Sequence, residues 1–177
     1  PGVARSSLRS DDKACADTAN AEAAITACTQ LYENRGLGRN NRAIALGNRG
    51  AAYKVMGRYD DAIADFTRAI ELDPGNSQYY CQRGDARLRI NANNEAVDDY
   101  TAAIRQSPRL LWRYHGRGQA YLALGNGEAA LADLNQAVRI KPEAFSLRVL
   151  RGRANNLVKN YEAAIVDLND ALSNPKS

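Results

Sequence analysis

NRGAAYKVMGRYDDAIADFTRAIELDPG, residues 48–75, is the stretch that decides the fold. Its second half places Ala62, Ile63, Phe66, Ala69 and Ile70 at i, i+1, i+4, i+7 and i+8, one apolar face of an α-helix. Asp73-Pro74-Gly75 ends that helix, because proline cannot continue it and restricts the residue before it. The first half is also helix-compatible, with Gly50 and Ala51 midway. A glycine inside a helix costs ~1 kcal/mol and marks a close backbone approach. Gly57-Arg58 supplies the break between the two halves. The stretch therefore predicts two antiparallel helices that meet through small residues.

The same pattern recurs along the chain. Arg-Gly stands at 49–50, 83–84, 117–118 and 151–152, in steps of 34 residues. Ala52, Ala86, Ala120 and Ala154 follow in register, as do Ala62, Ala96, Ala130 and Ala164, and Ala69, Ala103, Ala137 and Ala171. Asp65, Asp99, Asp133 and Asp167 repeat too. Pro74, Pro108 and Pro142 keep the period, and Pro175 comes one residue early. One helical hairpin cannot bury its apolar face alone, so several stack into a solenoid.

These positions resemble the tetratricopeptide repeat (TPR) family. One copy supplies Leu46, Gly50, Tyr53, Ala62, Phe66, Ala69 and Pro74, and the third supplies Tyr114, Gly118, Tyr121, Ala130, Leu134, Ala137 and Pro142. Arg87, Arg148 and Asn155 depart from the family's large or aromatic residues. The resemblance covers residues 43–177 and implies an all-α fold, a right-handed superhelical solenoid of antiparallel helix pairs with about ten helices. The expected organisation is a loose lead-in at 1–8, a degenerate capping repeat at 9–42, repeats at 43–76, 77–110 and 111–144, and a C-terminal repeat at 145–177. The degenerate unit aligns Ala24, Ile25 and Cys28 with Ala62, Ile63 and Phe66 at an offset of 38. About four residues are thus inserted, and the loop-like NRGLGRNN at 34–41 carries them. Its first helix is expected over roughly Leu8–Thr18.

Composition narrows the function. The 177 residues are 45% hydrophobic and 25% charged, ordinary values for a globular protein. No run approaches the ~20 apolar residues of a membrane-spanning helix, so membrane insertion is not expected. The single histidine excludes a two-His or three-His metal site, and no metal or other cofactor is expected. No phosphate loop or nucleophile elbow is present, so the chain reads as a non-enzyme. Net charge is +4, with 19 Arg against 5 Lys, but the basic residues alternate with acids and form no run. Nucleic acid is therefore not the expected partner. The chain begins at Pro1, which is read as a processed product whose targeting segment is gone.

Cys15 and Cys28 fall at the positions where the family's Tyr and aromatic face each other, which implies a disulfide; two free buried cysteines are the alternative. The resemblance extends to exported bacterial repeat proteins with this Cys pattern. It points to the periplasm or outside of a bacterium, with the cytoplasm as the alternative. Arg49, Arg83, Arg117 and Arg151, together with Asp65, Asp99, Asp133 and Asp167, occupy positions that the family leaves apolar, Asn or aromatic. Across antiparallel helices they are expected to form structural ion pairs, with ligand binding by the arginines as the alternative.

The family binds peptides or protein segments in a concave groove lined by each first helix. Carried over, that surface comprises Asn48, Gln78, Gln82, Arg89, Trp112, His115, Gln119, Leu150 and Arg153, with Trp112 and Leu150 as apolar anchors. Its charge reads as mixed, and with a small net charge its affinity is expected to change little with salt. The family's two-carboxylate clamp is not expected, because Lys13, Gln78 and Gln82 replace its residues. The expected function is an interaction module for a protein or peptide segment. A self-assembling homo-oligomer, joined through Ile165, Leu168 and Leu172 of the last repeat, is the second reading.

Overall fold

The structure is a computed structural model that describes residues 11–34 and 36–173. The lead-in, residues 8–10 of the expected first helix, and Pro175 lie outside the described residues. Ten helices are present among the described residues, and no strand is. They are α1 (residues 11–16), α2 (Ala21–Glu33), α3 (Arg39–Val55), α4 (Tyr59–Leu72), α5 (Ser77–Arg89), α6 (Asn93–Gln106), α7 (Leu111–Ala123), α8 (Gly127–Ile140), α9 (Phe145–Leu157) and α10 (Tyr161–Ser173). A 3₁₀ turn, Thr18–Asn20, joins α1 to α2. The chain forms two compact units, Pro1–Ile90 with α1 to α5 and Asn91–Ser177 with α6 to α10.

Within each unit, helices adjacent in sequence pack together, and the first helices of neighbouring hairpins also meet, α3 with α5 and α7 with α9. Local chemistry sets the ends. Asp60 and Asp61 sit in the first turn of α4, where carboxylates suit the helix dipole. Asn20, Asn76 and Asn126 cap α2, α5 and α8 with side-chain oxygens that accept backbone N–H bonds. Asp73 closes α4 just before Pro74. The NRGLGRNN segment differs from its loop-like expectation. Helix α3 starts at Arg39 and runs 17 residues, against 13 for α5, α7 and α9, so the insertion becomes an extra helical turn.

The core repeats a large-on-small contact. Phe66 is 1% exposed and faces Gly50, where a Cβ would come within 2.9 Å of the ring. Leu134 faces Gly118 in the same way, at 3.0 Å. Burying each such side chain contributes roughly 1.5–3 kcal/mol. A second size match runs from a second helix to the next first helix. Tyr100 is buried over Gly116, whereas the smaller Leu134 packs on Leu150. A Cβ at Gly116 would lie 2.7 Å from the Tyr100 hydroxyl, so ring and glycine must change together.

Candidate functional site

Two constellations merit description, the first-helix faces and the charged rungs between helices. The rungs recur. Arg49 Nε and Nη2 donate to Asp65 Oδ2 and Oδ1 at 2.6 and 2.8 Å, across the α3–α4 hairpin. Arg117 forks onto Asp133 at 2.7 and 2.8 Å across α7–α8. Arg151 forks onto Asp167 across α9–α10, with Nε at 2.9 Å from Oδ2 and Nη2 on Oδ1. The planar guanidinium matches a carboxylate in two parallel bonds. Arg83 and Asp99 fall one in each unit; Arg83 Nη1 donates to Thr67 Oγ1 at 2.9 Å, and Asp99 is buried.

Each fork has a third point that the sequence reading overlooked. Arg49 Nη1 donates to Thr29 Oγ1 at 2.8 Å, Arg117 Nη1 to Thr101 Oγ1 at 2.9 Å, and Arg151 Nη1 to Asn135 Oδ1 at 3.4 Å. The Thr29 and Thr67 hydroxyls donate onward to the carbonyls of Ile25 and Ile63, each at 2.7 Å. Every rung therefore ties a hairpin to the second helix before it. The 34-residue spacing of Thr67, Thr101 and Asn135 was the available signal. Bonding to its Asp, acting against burial, raises the pKa of Arg49, Arg117 and Arg151 above the ordinary arginine value. Such a group gives its full stabilisation below the unfolded-state pKa, so these arginines add no pH dependence in the neutral range. Asn155 supports the last rung, donating to Asp167 at 3.0 Å. Arg113, 3% exposed, is a further buried cation that the sequence did not reveal; it donates to the Ser107 carbonyl.

The first-helix face of the N-terminal unit is largely occupied by its own contacts. Lys54 on α3 donates to Gln82 and, at 2.9 Å, to Asp85, both on α5. Asn48 lies 3.7 Å from Cys15 Sγ. Arg89 turns to Tyr59 of α4, with Nε 3.2 Å from the phenol oxygen. Gln78 is exposed and Cys81 half-buried. Cys15 and Cys28 join α1 to α2 with Cα atoms 4.8 Å apart and sulfurs bonded. Among the described residues, no cluster of His, Cys, Asp and Glu suits a metal, and no helix is long and apolar enough to cross a membrane.

The C-terminal unit presents the more open face. Trp112 is 70% exposed at the start of α7. It borders a cavity of about 130 Å³ shared with Leu111, His115, Lys141, Ala144, Ser146 and Leu147. Gln119 is half-buried and Arg153 exposed. Leu150 differs from its expected role as an anchor. It is 8% exposed and packs with Ala130, Leu134 and Ala154, because position 150 must fill the space beside a leucine at 134.

Models of the Tetratricopeptide repeat family match residues 43–76 and 115–175. Among solved structures, MamA 41-end from Desulfovibrio magneticus RS-1 superposes with a TM-score of 0.86 at 19% identity, covering 96% of this chain and 93% of that one. Another MamA crystal structure gives 0.81 at 22% identity, over 89% and 90% of the two chains. The Arabidopsis OM64 TPR domain gives 0.65 at 26% identity, over 67% of this chain and 98% of that domain. Hsc70-interacting protein 1 of Drosophila melanogaster is 46% identical over 37 residues, which span 21% of this chain and only 10% of that protein. With the 34-residue period, the helical hairpins and these matches in agreement, the chain belongs to the tetratricopeptide repeat family.

Proposed function

We propose that this chain is a non-catalytic scaffold that binds a protein or peptide segment along its first helices, with the face of α7 and α9 as the principal contact. One observation carries the reading: Trp112 stands 70% exposed on α7 beside a cavity of side-chain size. A large aromatic left in water next to a concavity has area to bury, and such anchors dominate interface energies. The face is built on packed helices, so little ordering cost falls on the receptor. Ser146 lines the same cavity and Gln119 follows Trp112 along α7, and both offer hydrogen-bonding groups to an extended backbone.

The test is titration of a partner, recovered with the full chain, against two variants. Trp112→Ala is expected to weaken binding by ~2 kcal/mol or more. Asp60→Ala, on the exposed first turn of α4, is expected to leave it unchanged. Equal affinity of both variants would remove the α7 face as the site.

A second reading rests on α10. Ile165 and Leu172 are 58% and 73% exposed, whereas the equivalent Leu131 and Val138 on α8 are packed by neighbouring side chains. Self-association through that stripe would show as a concentration-dependent mass in light scattering, abolished by Leu172→Glu.

A further inference from the structure

The net charge of +4 conceals a segregation by helix type. In the C-terminal unit the first helices α7 and α9 carry Arg113, Arg117, Arg148, Arg151 and Arg153 and no acidic residue. The second helices α6, α8 and α10 carry Glu95, Asp98, Asp99, Glu128, Asp133, Glu162, Asp167 and Asp170 against Arg105 and Arg139. Alternation along the sequence suggests a mixed surface, yet the hairpin sorts the signs. Arg117 and Arg151 are neutralised by Asp133 and Asp167, and Arg148 lies 3.7 Å from Asp170. Arg153 on α9 is exposed, with no acid on either first helix beside it. Lys141, in the turn before α9, is exposed at the rim of the Trp112 cavity, and Glu143 is the one acid in that turn.

The cavity itself is apolar at its base. Leu147 and Ala144 are 2% and 8% exposed, Leu111 completes the floor, and Trp112 forms a wall. Its 130 Å³ is the liquid volume of about four waters, room for one bulky aliphatic side chain. Lys141 and Ser146 line this cavity, and the exposed Arg153 lies about two helical turns further along α9. Resting on the reading of the α7 and α9 face as the contact surface, we propose that its partner is an acidic protein segment, bound with one large apolar side chain in the Trp112 cavity and side-chain carboxylates toward Lys141 and Arg153.

Charge complementarity favours this occupant over a neutral or basic peptide. The cavity favours it over nucleic acid. A single exposed aromatic, one rim cation and a second cation further along α9 offer neither a stacking platform nor a row of phosphate contacts. No free C-terminus is required, since the carboxylates are those of side chains. One consequence reverses the expectation drawn from net charge alone: binding weakens steeply with salt.

Trp112 is the single tryptophan, so its emission reports on the site directly. The probe is a short peptide of Glu and Asp around one Leu, amidated at its C-terminus. It is titrated into the full chain at ionic strengths of about 0.02 and 0.5 M. The expected result is a saturable blue shift of Trp112. Affinity is expected to fall at least about tenfold in the higher salt, with the Gln/Asn version of the peptide, or with Arg153→Glu or Lys141→Glu. Both variants lie on exposed side chains and are expected to keep the wild-type circular dichroism. Replacing the probe's Leu by Ser is expected to cost a similar factor. If the Gln/Asn peptide shifts Trp112 with equal affinity, the acidic partner is overturned while the α7 and α9 face stands as the contact surface. No shift with any peptide overturns the inference, and the fate of the face then rests on Trp112→Ala against a recovered partner. Tighter competition by single-stranded RNA, or an emission change on dilution without peptide, overturns it in favour of nucleic acid or a second copy.

Discussion

The Arg49 and Arg151 rungs use the same residues in the same register, yet they sit at different depths. The Arg49 and Asp65 side chains are 11% and 4% exposed, against 26% for Arg151 and 3% for Asp167. Arg49 completes its fork on Thr29 at 2.8 Å and lies 5.6 Å from the Tyr32 ring. The third point of Arg151 is looser, 3.4 Å to Asn135. The lesson is that an ion pair's contribution cannot be read from its bonding pattern alone. What removal costs is set by how much water and how many other donors can reach the carboxylate left behind.

The largest expected effect tests that difference. Arg49→Leu strands Asp65 among packed helices and is expected to destabilise the protein by ~3–5 kcal/mol. Arg151→Leu is expected to cost only ~1–2 kcal/mol, because removing the more exposed guanidinium opens the otherwise buried Asp167 to water and Asn155 still donates to Asp167. Changing Asp65 to Leu together with Arg49→Leu is expected to restore much of the loss, since an apolar pair leaves no orphaned charge. Urea unfolding monitored by circular dichroism measures all three. Equal costs at the two rungs would show that depth is not the controlling variable.

The next effect separates the rungs by location. Cys28 is adjacent in sequence to Thr29, the third point of the Arg49 rung. A bridge over a sequence separation of 13 is expected to contribute about 3 kcal/mol through the unfolded state. Reduction is therefore expected to lower stability by that order and to raise hydrogen exchange in α2 and α3, leaving α9 and α10 protected. Thiol counting under denaturation is expected to find Cys81 alone before reduction and three thiols after it. Three thiols in protein prepared without reductant would remove the bridge from the account.

Much of this was legible in the residues, for an identifiable reason. A 34-residue period displays each structural constraint several times, so Gly50 and Gly118 or Ala62 and Ala130 can be read as contacts before any contact is seen. What did not repeat was harder to place. Leu150 stands where Gly116 stands one repeat earlier, and only the size of its neighbour, Leu134 in place of Tyr100, sends it into the core. The extra turn of α3 reads as a loop in the sequence because Gly, Arg and Asn dominate that stretch, yet its arginines are tied down by hydrogen bonds, Arg39 donating to the Glu71 carbonyl at 2.7 Å and Arg42 to the Tyr32 carbonyl at 3.2 Å. The Thr and Asn third points were hidden by their ordinary appearance on a helix surface. Charge sorting was hidden because alternation along the sequence becomes separation once each hairpin folds.

The smallest expected effect concerns the turn that joins the two helices of the outer rung. Residues 57, 91, 125 and 159 close each first helix with positive φ, at 74°, 61°, 73° and 62°. Gly57 and Gly125 adopt that conformation without a Cβ penalty, and Asn91 tolerates it. Lys159 is the misfit, a long side chain held in left-handed backbone between Arg151 on α9 and Asp167 on α10. Lys159→Gly removes that strain, although glycine adds freedom to the unfolded chain, so the net gain is expected to be about 0.5–1 kcal/mol. Asn91→Gly is expected to give less. The measurement is the urea midpoint at unchanged m-value, with Lys159→Gly made alone and in combination with Arg151→Leu. If the turn holds the outer hairpin in place independently of the ion pair, the two effects add within a few tenths of a kcal/mol. A larger deviation would mean that the turn and the rung are coupled, and that the outer rung's tolerance of water originates partly in the strain at Lys159.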